Sequence, residues 1–121
     1  MTTSESHKLD ALFQEIGLQR FGGKSVISGQ PAVVVHHFYG RRNKATRWYL
    51  PNAIPLTHEE HMRLHSEETG LMENIIISKL GTIWFEELRK TANKTAKYFT
   101  YSDVYRHFLG ETKHYLKDWY A

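Results

Sequence analysis

Five of the chain's eight histidines fall between residues 33 and 65, in the stretch VVVHHFYGRRNKATRWYLPNAIPLTHEEHMRLH. Histidine is the commonest metal ligand and the usual general base near neutral pH. The cluster therefore points to chemistry at a divalent ion. His61 and His65 stand four apart, so a helix sets both imidazoles on one face. A third ligand has to come from another element, and His36, at the end of a Val-rich strand, is the candidate. His37 points the other way in an extended strand. It is left free as a base while its neighbour binds metal. Hydrolysis of a phosphodiester asks for that division of labour.

The surrounding charge favours the same substrate class. Between Ile16 and His58 there is no Asp or Glu, whereas Arg20, Lys24, Arg41, Arg42, Lys44 and Arg47 all fall inside. A basic stretch that also carries the histidines suits a polyanionic partner, most simply nucleic acid. Arg41, Arg42, Lys44 and Arg47 are the candidate phosphate contacts. Trp48 and Tyr49 can stack on bases, although packing beneath the loop is the use the sequence favours. Other classes drop out. There is no cysteine, hence neither a disulfide framework nor a thiolate zinc knuckle. The helix segment His61-Met62-Arg63-Leu64-His65 lacks the Glu that a metalloprotease H-E-x-x-H needs. No signal peptide is recognisable in MTTSESHKLD, and no apolar run approaches the roughly 20 residues of a membrane span. A soluble, cytoplasmic protein without a membrane partner is expected; the oligomeric state is open.

These residues need elements to hold them. Leu9, Leu12, Phe13 and Ile16 make one apolar helical face, closed by Gly22-Gly23. KSVISGQPAVVVHHF reads as a hairpin with its turn at Gly-Gln-Pro. Residues 39–51 form a basic, aromatic loop, in which Asn43 reads as a turn residue. Ala53 to Leu56 either pairs as a strand or leads into the next helix. Thr57-His58-Glu59-Glu60 is a capping box that starts the ligand helix, with His58 at its surface. From Gly70 the chain reads as helical to its end. Met72, Ile75, Ile76 and Leu80 form one stripe, and Ile83, Trp84 and Leu88 a second. Thr100 or Ser102 caps a last helix bearing Val104, Tyr105, Phe108, Leu109, Leu116 and Trp119. His7, His107 and His114 read as surface residues. The 121 residues suffice for one domain with its own core: an N-terminal helix (1–22), a central unit (23–66) and a helical extension (67–121).

His36-His37, Asn52, His61 and His65 resemble the motif of the HNH, or ββα-metal, endonucleases. The gaps are 15 residues from His37 to Asn52, nine to His61 and four to His65. They are similar to the version with a His doublet and a closing His-x-x-x-His, as in colicin-type DNases. SGQPAVVVHHFYGR and IPLTHEEHMRLH also resemble small phage and prophage HNH proteins, some associated with recombination. The resemblance implies an α+β fold: a ββα-metal core with an N-terminal helix and a helical C-terminal extension. It implies a DNA endonuclease with one divalent ion, Zn, Ni, Mn or Mg, held by His36, His61 and His65. His37 would be the general base and Asn52 the residue that braces the loop and orients it. Products with a 5′ phosphate and a 3′ hydroxyl are implied likewise. Two alternatives stand beside it: a non-catalytic nucleic-acid-binding module with a structural metal, and an RNase on the same site. Many relatives add two C-x-x-C pairs around a structural zinc. Ser25 and Ser28 stand in place of the first pair here, Thr57 and Glu60 in place of the second. Packing, chiefly against the helical extension, is expected to replace that zinc.

Overall fold

A computed structural model of the chain describes residues 1–94 and 99–110. Helix α1 (Thr3–Gln19) opens on a capping box, in which the Thr2 hydroxyl accepts from the Glu5 N–H and the Glu5 carboxylate accepts from the Thr2 N–H. Reciprocal caps of this kind satisfy donors that a first turn leaves unpaired. The helix buries Leu9, Phe13 and Gly17, with Leu12 and Ile16 half-buried beside them. At Gly17 a Cβ would lie 2.9 Å from Val35 Cγ2 and 3.1 Å from Ala53 Cβ. The missing side chain lets the helix lie directly on the strands.

Those strands are β1 (Val34–His37) and β2 (Ala53–Leu56), paired antiparallel with His36 opposite Ile54 and Val35 opposite Pro55. The hairpin expected across Gly-Gln-Pro does not form. Residues 24–31 make one isolated bridge, Lys24 to Pro31. The Ser25 N–H to Gln30 carbonyl bond belongs to that bridge, but beyond it the Ser25 hydroxyl accepts from the N–H groups of Ile27 and Ser28, and the Val26 N–H donates to the Pro55 carbonyl. The Val run pairs instead with Ala53–Leu56, all four residues of which are buried. Pro55 fits because Val35, its partner, turns its backbone polar groups outward. There the Gln14 side chain accepts from the Val35 N–H and donates to the Val35 carbonyl, both at 3.2 Å. An amide of α1 thus stands in for a third strand.

Alternation along the strands divides the interior. Val35 and Ala53 join Leu9, Phe13, Trp48, Phe99 and Val104 on one side. Ile54 and Leu56 join Leu64, Met72 and Ile76 on the other. Helix α2 (His58–Leu64) starts at the expected capping box, Thr57 with Glu60. Then come α3 (Thr69–Leu80), α4 (Thr82–Ala92) and α5 (Tyr101–Phe108), the last capped by Thr100 with Asp103. Helicity expected to run on from Gly70 breaks at Gly81, whose φ of 99° suits glycine and not an L side chain. Ile83, expected on an apolar stripe, is 81% exposed, and His107, expected at the surface, is 2% exposed. Leu116 and Trp119 lie outside the described residues. The architecture is mixed helix and sheet, and no described helix is long and apolar enough to cross a membrane.

Candidate metal centre and the adjoining histidine

On the α2 side of the sheet, ring nitrogens of His36, His61 and His65 all lie within 4.8 Å of one another. His61 Nε2 and His65 Nε2 are 3.0 Å apart. The ring centroid of His36 is 5.5 Å from that of His61 and 5.8 Å from that of His65. Tetrahedral ligands at zinc–nitrogen distances sit about 3.3 Å from one another, so small rotations of these rings converge on an ion. The local folding explains the arrangement. His36 is directed by the strand register, and its partner Ile54 packs in the core beneath it. His61 lies in α2, and His65 is the residue that ends the helix, one turn on. The three imidazoles would supply three nitrogen ligands, one fewer than the four of closed structural zinc sites.

Burial and neighbouring imidazoles disfavour the charged forms of His36 and His61. Burial, followed by the neighbouring His61, His65 and His37, pushes His36 down to about 4. Burial and then His65 and His58 lower His61. His36 is therefore neutral at pH 7, the form that ligates metal. His58 is exposed and is not a member of the cluster.

His37 faces the other side of the sheet. Its ring stacks on Phe13 of α1 at 4.4 Å between centroids and 14° between planes. Its Nε2 lies 3.0 Å from the Arg47 carbonyl. A carbonyl only accepts, so Nε2 carries the proton and Nδ1 keeps a bare lone pair. Burial lowers this ring below its ordinary range, and the Arg47 carbonyl and the charge of Asp10 offset only part of that. A cleft of about 250 Å³ opens beside it, lined by Asp10, Ala11, Gln14, His37 and Arg41.

Asn52 sits at the end of a short 3-10 turn, Leu50–Asn52, and is fully buried. Its Oδ1 accepts from the Tyr39 N–H at 2.8 Å. Its Nδ2 donates to the carbonyls of Tyr39 and Thr46, at 3.0 and 3.1 Å. The loop is thus pinned at both ends, and the Thr46 carbonyl is the neighbour of the one that holds His37. Asn43 has a different part. It accepts from the Thr46 N–H and donates to the Ala92 carbonyl, tying the turn to the end of α4.

The basic residues separate into two kinds. Arg42 and Lys44 are exposed. Arg41 is 61% exposed and makes a single contact with Asp10, 3.0 Å. Arg47 is 24% exposed and binds Asp10 with two nitrogens, at 2.8 and 3.2 Å. Trp48 and Tyr49 are buried, and the Trp48 indole also donates to Asp10.

Where resemblance suggests a zinc knuckle, Val26 and Ile27 pack against a core that includes Met72 and Ile76 of α3, as expected, and a polar cluster is added beside them. The buried Ser25 hydroxyl donates to Glu60 at 2.5 Å, and Glu60 also accepts from the Thr57 N–H. Burial raises the Glu60 carboxyl, but hydrogen bonds from Ser25, Thr57 and Ser28 outweigh it and hold the group below its usual range.

Sequence reasoning missed the contribution of α1: Asp10, Phe13 and Gln14. One signal pointed to it. A stretch without any carboxylate between Ile16 and His58 has to draw a counter-charge from outside, and Asp10 lies just upstream. No family model, curated protein or solved structure matches the chain.

Proposed function

We propose that the chain is a metal-dependent endonuclease of the ββα-metal (HNH) type acting on DNA. The observation that carries this reading is the separation of the His doublet. His36 joins His61 and His65 in a cluster able to hold a metal ion, while His37 turns away with Nε2 on a loop carbonyl and Nδ1 bare. When bound, the ion supplies Lewis-acid stabilisation of the phosphate and the departing oxygen. The chain's own residues do the rest. His37 Nδ1 takes a proton from water, and the oxygen attacks phosphorus in line. The bond from phosphorus to the 3′ oxygen breaks, and that oxygen takes a proton from solvent, leaving a 5′ phosphate and a 3′ hydroxyl. Asn52 holds the loop so that the Arg47 carbonyl keeps the His37 proton on Nε2. Arg41, half free beside the cleft, and the exposed Arg42 and Lys44 meet the phosphate backbone.

Plasmid cleavage with EDTA and a panel of divalent ions tests the reading. His37→Ala is expected to lose roughly 10²–10⁴-fold in rate while zinc affinity stays as in wild type. His36→Ala is expected to lose the ion itself. Equal loss of metal in both variants contradicts the division of roles. Cleavage of RNA alone reassigns the substrate, and a protein that binds metal and DNA but cleaves neither nucleic acid is the binding module instead.

A further inference from the structure

The Asp10 carboxylate accepts four hydrogen bonds, two on each oxygen. Oδ1 takes Arg47 Nε at 3.2 Å and Trp48 Nε1 at 2.9 Å. Oδ2 takes Arg47 Nη2 at 2.8 Å and Arg41 Nη2 at 3.0 Å. A carboxylate has about four lone-pair positions, and all are used. Asp10 therefore has no capacity left to ligate an ion or to take a proton from substrate. What it grips is more informative. The Arg47 carbonyl belongs to the peptide between Arg47 and Trp48, and Asp10 holds the side chains on both sides of that peptide. The same carbonyl receives the His37 Nε2 proton at 3.0 Å. Phe13, three residues further along α1, stacks on the His37 ring.

We propose that Asp10 is a positioning residue that fixes the tautomer and ring plane of His37 by way of Arg47, making α1 part of the site. The two-point fork onto Arg47 defines a plane, as a single ammonium contact could not. Trp48 adds a third point, so the peptide cannot rotate its carbonyl away from His37. Without Asp10 the Asn52 amide and the Tyr49 N–H still hold the Thr46 carbonyl and Trp48 stays in the core, but the side chains of Arg47 and Trp48 lose the acceptor that fixes the peptide between them. His37 then samples both tautomers, and in one of them Nδ1 carries the proton and cannot act as a base. The kinetic consequence rests on the nuclease reading; the tautomer consequence does not.

Nitrogen-15 NMR of the histidine rings in the full chain reads the tautomer directly. Wild type is expected to show His37 as the Nε2–H form. Asp10→Ala and Arg47→Ala are each expected to show a mixture, with zinc affinity unchanged because His36, His61 and His65 are untouched. Turnover of plasmid is expected to fall about 10–100-fold, in kcat more than in KM. The double variant is expected to be no worse than either single one, since both act through one carbonyl. Asp10→Glu, which keeps two acceptor oxygens, is expected to restore the Nε2–H form. If Asp10→Ala fails to fold, Asp10→Asn and Arg47→Ala carry the same comparison. A folded Asp10 variant with an unaltered His37 tautomer overturns the proposal, as do losses that simply multiply in the double variant. Absence of cleavage by wild type, with the tautomer still responding to Asp10, overturns the nuclease reading and leaves the positioning role standing.

Discussion

Consecutive strand residues face opposite ways, and at His36 and His37 that alternation separates two environments. His36 meets two other imidazoles; His37 meets an aromatic ring and a carbonyl. The composition of the first environment favours a class of ion. Three neutral nitrogens add no charge to offset a hard cation, and imidazole suits Zn²⁺ or Ni²⁺ better than Mg²⁺. No carboxylate belongs to the cluster among the described residues, so nothing in it compensates Mg²⁺ for its lost water. Calorimetry is expected to show Zn²⁺ binding far more tightly than Mg²⁺, with His65→Ala abolishing the difference. Tighter binding of Mg²⁺ would contradict a site made of these three residues. The ion that binds tightest need not turn over fastest, so Mn²⁺ or Mg²⁺ remain candidates for supporting cleavage.

At the scale of elements, the loop from Phe38 to Asn52 carries the basic residues, and α1 decides which of them are available. Arg47 is committed to Asp10 through two nitrogens, whereas Arg41 has one such contact and Arg42 is exposed. Phosphate contacts release counterions, so each one lost on duplex DNA reduces the slope of log K against log salt by roughly 0.9. Arg42→Ala is expected to weaken all DNA sequences alike and to shrink that slope, leaving metal affinity alone. Arg41→Ala is expected to do the same and also to slow cleavage, because Arg41 shares a cleft with His37. An unchanged slope in both variants would make the loop solvated charge only. The loop also marks where sequence is a sufficient guide. His36, His61 and His65 could be brought together from strand alternation and an i, i+4 spacing, and the boxes at Thr57 and Thr100 are local chemistry. The Arg47–Asp10 pair joins residues 37 apart, with no periodicity to announce it. Residues 24–28 carry a strand composition, yet apart from a bond from the Val26 N–H to the Pro55 carbonyl their hydrogen bonds go into a turn around Ser25. Which segment pairs with the Val run is decided by burial of Ala53–Leu56, a property of the folded whole.

Among the described residues the molecule is built on a sheet of two strands with a packed layer on each side, and the α1 side is closed by α5. His107 makes that closure. It is 2% exposed, its Nε2 accepts from the Leu50 N–H at 3.1 Å, and its ring stacks on Tyr49. A ring that accepts at Nε2 in the interior has to be neutral there, and burial pushes it down to about 4 from an ordinary 6.5. The sign follows. Between those values the unfolded chain holds the proton and the folded chain does not, so acid favours unfolding. The stabilisation is complete above the unfolded value, falls as pH drops toward 4, and levels off below it. For one such group the loss between pH 7 and pH 5 comes to about 2 kcal/mol. His36, His37 and His61 are shifted in the same direction, so the wild-type slope alone does not identify the residue. His107→Gln keeps an acceptor for the Leu50 N–H and removes the titrating ring. Urea unfolding of both proteins in EDTA is therefore expected to show wild type losing about 2 kcal/mol more than the variant over that interval. The other histidines are common to both and cancel. Parallel pH dependences in the two proteins would show that His107 takes up its proton without leaving the interior, and that α5 is held in place by its apolar contacts, Val104 above all.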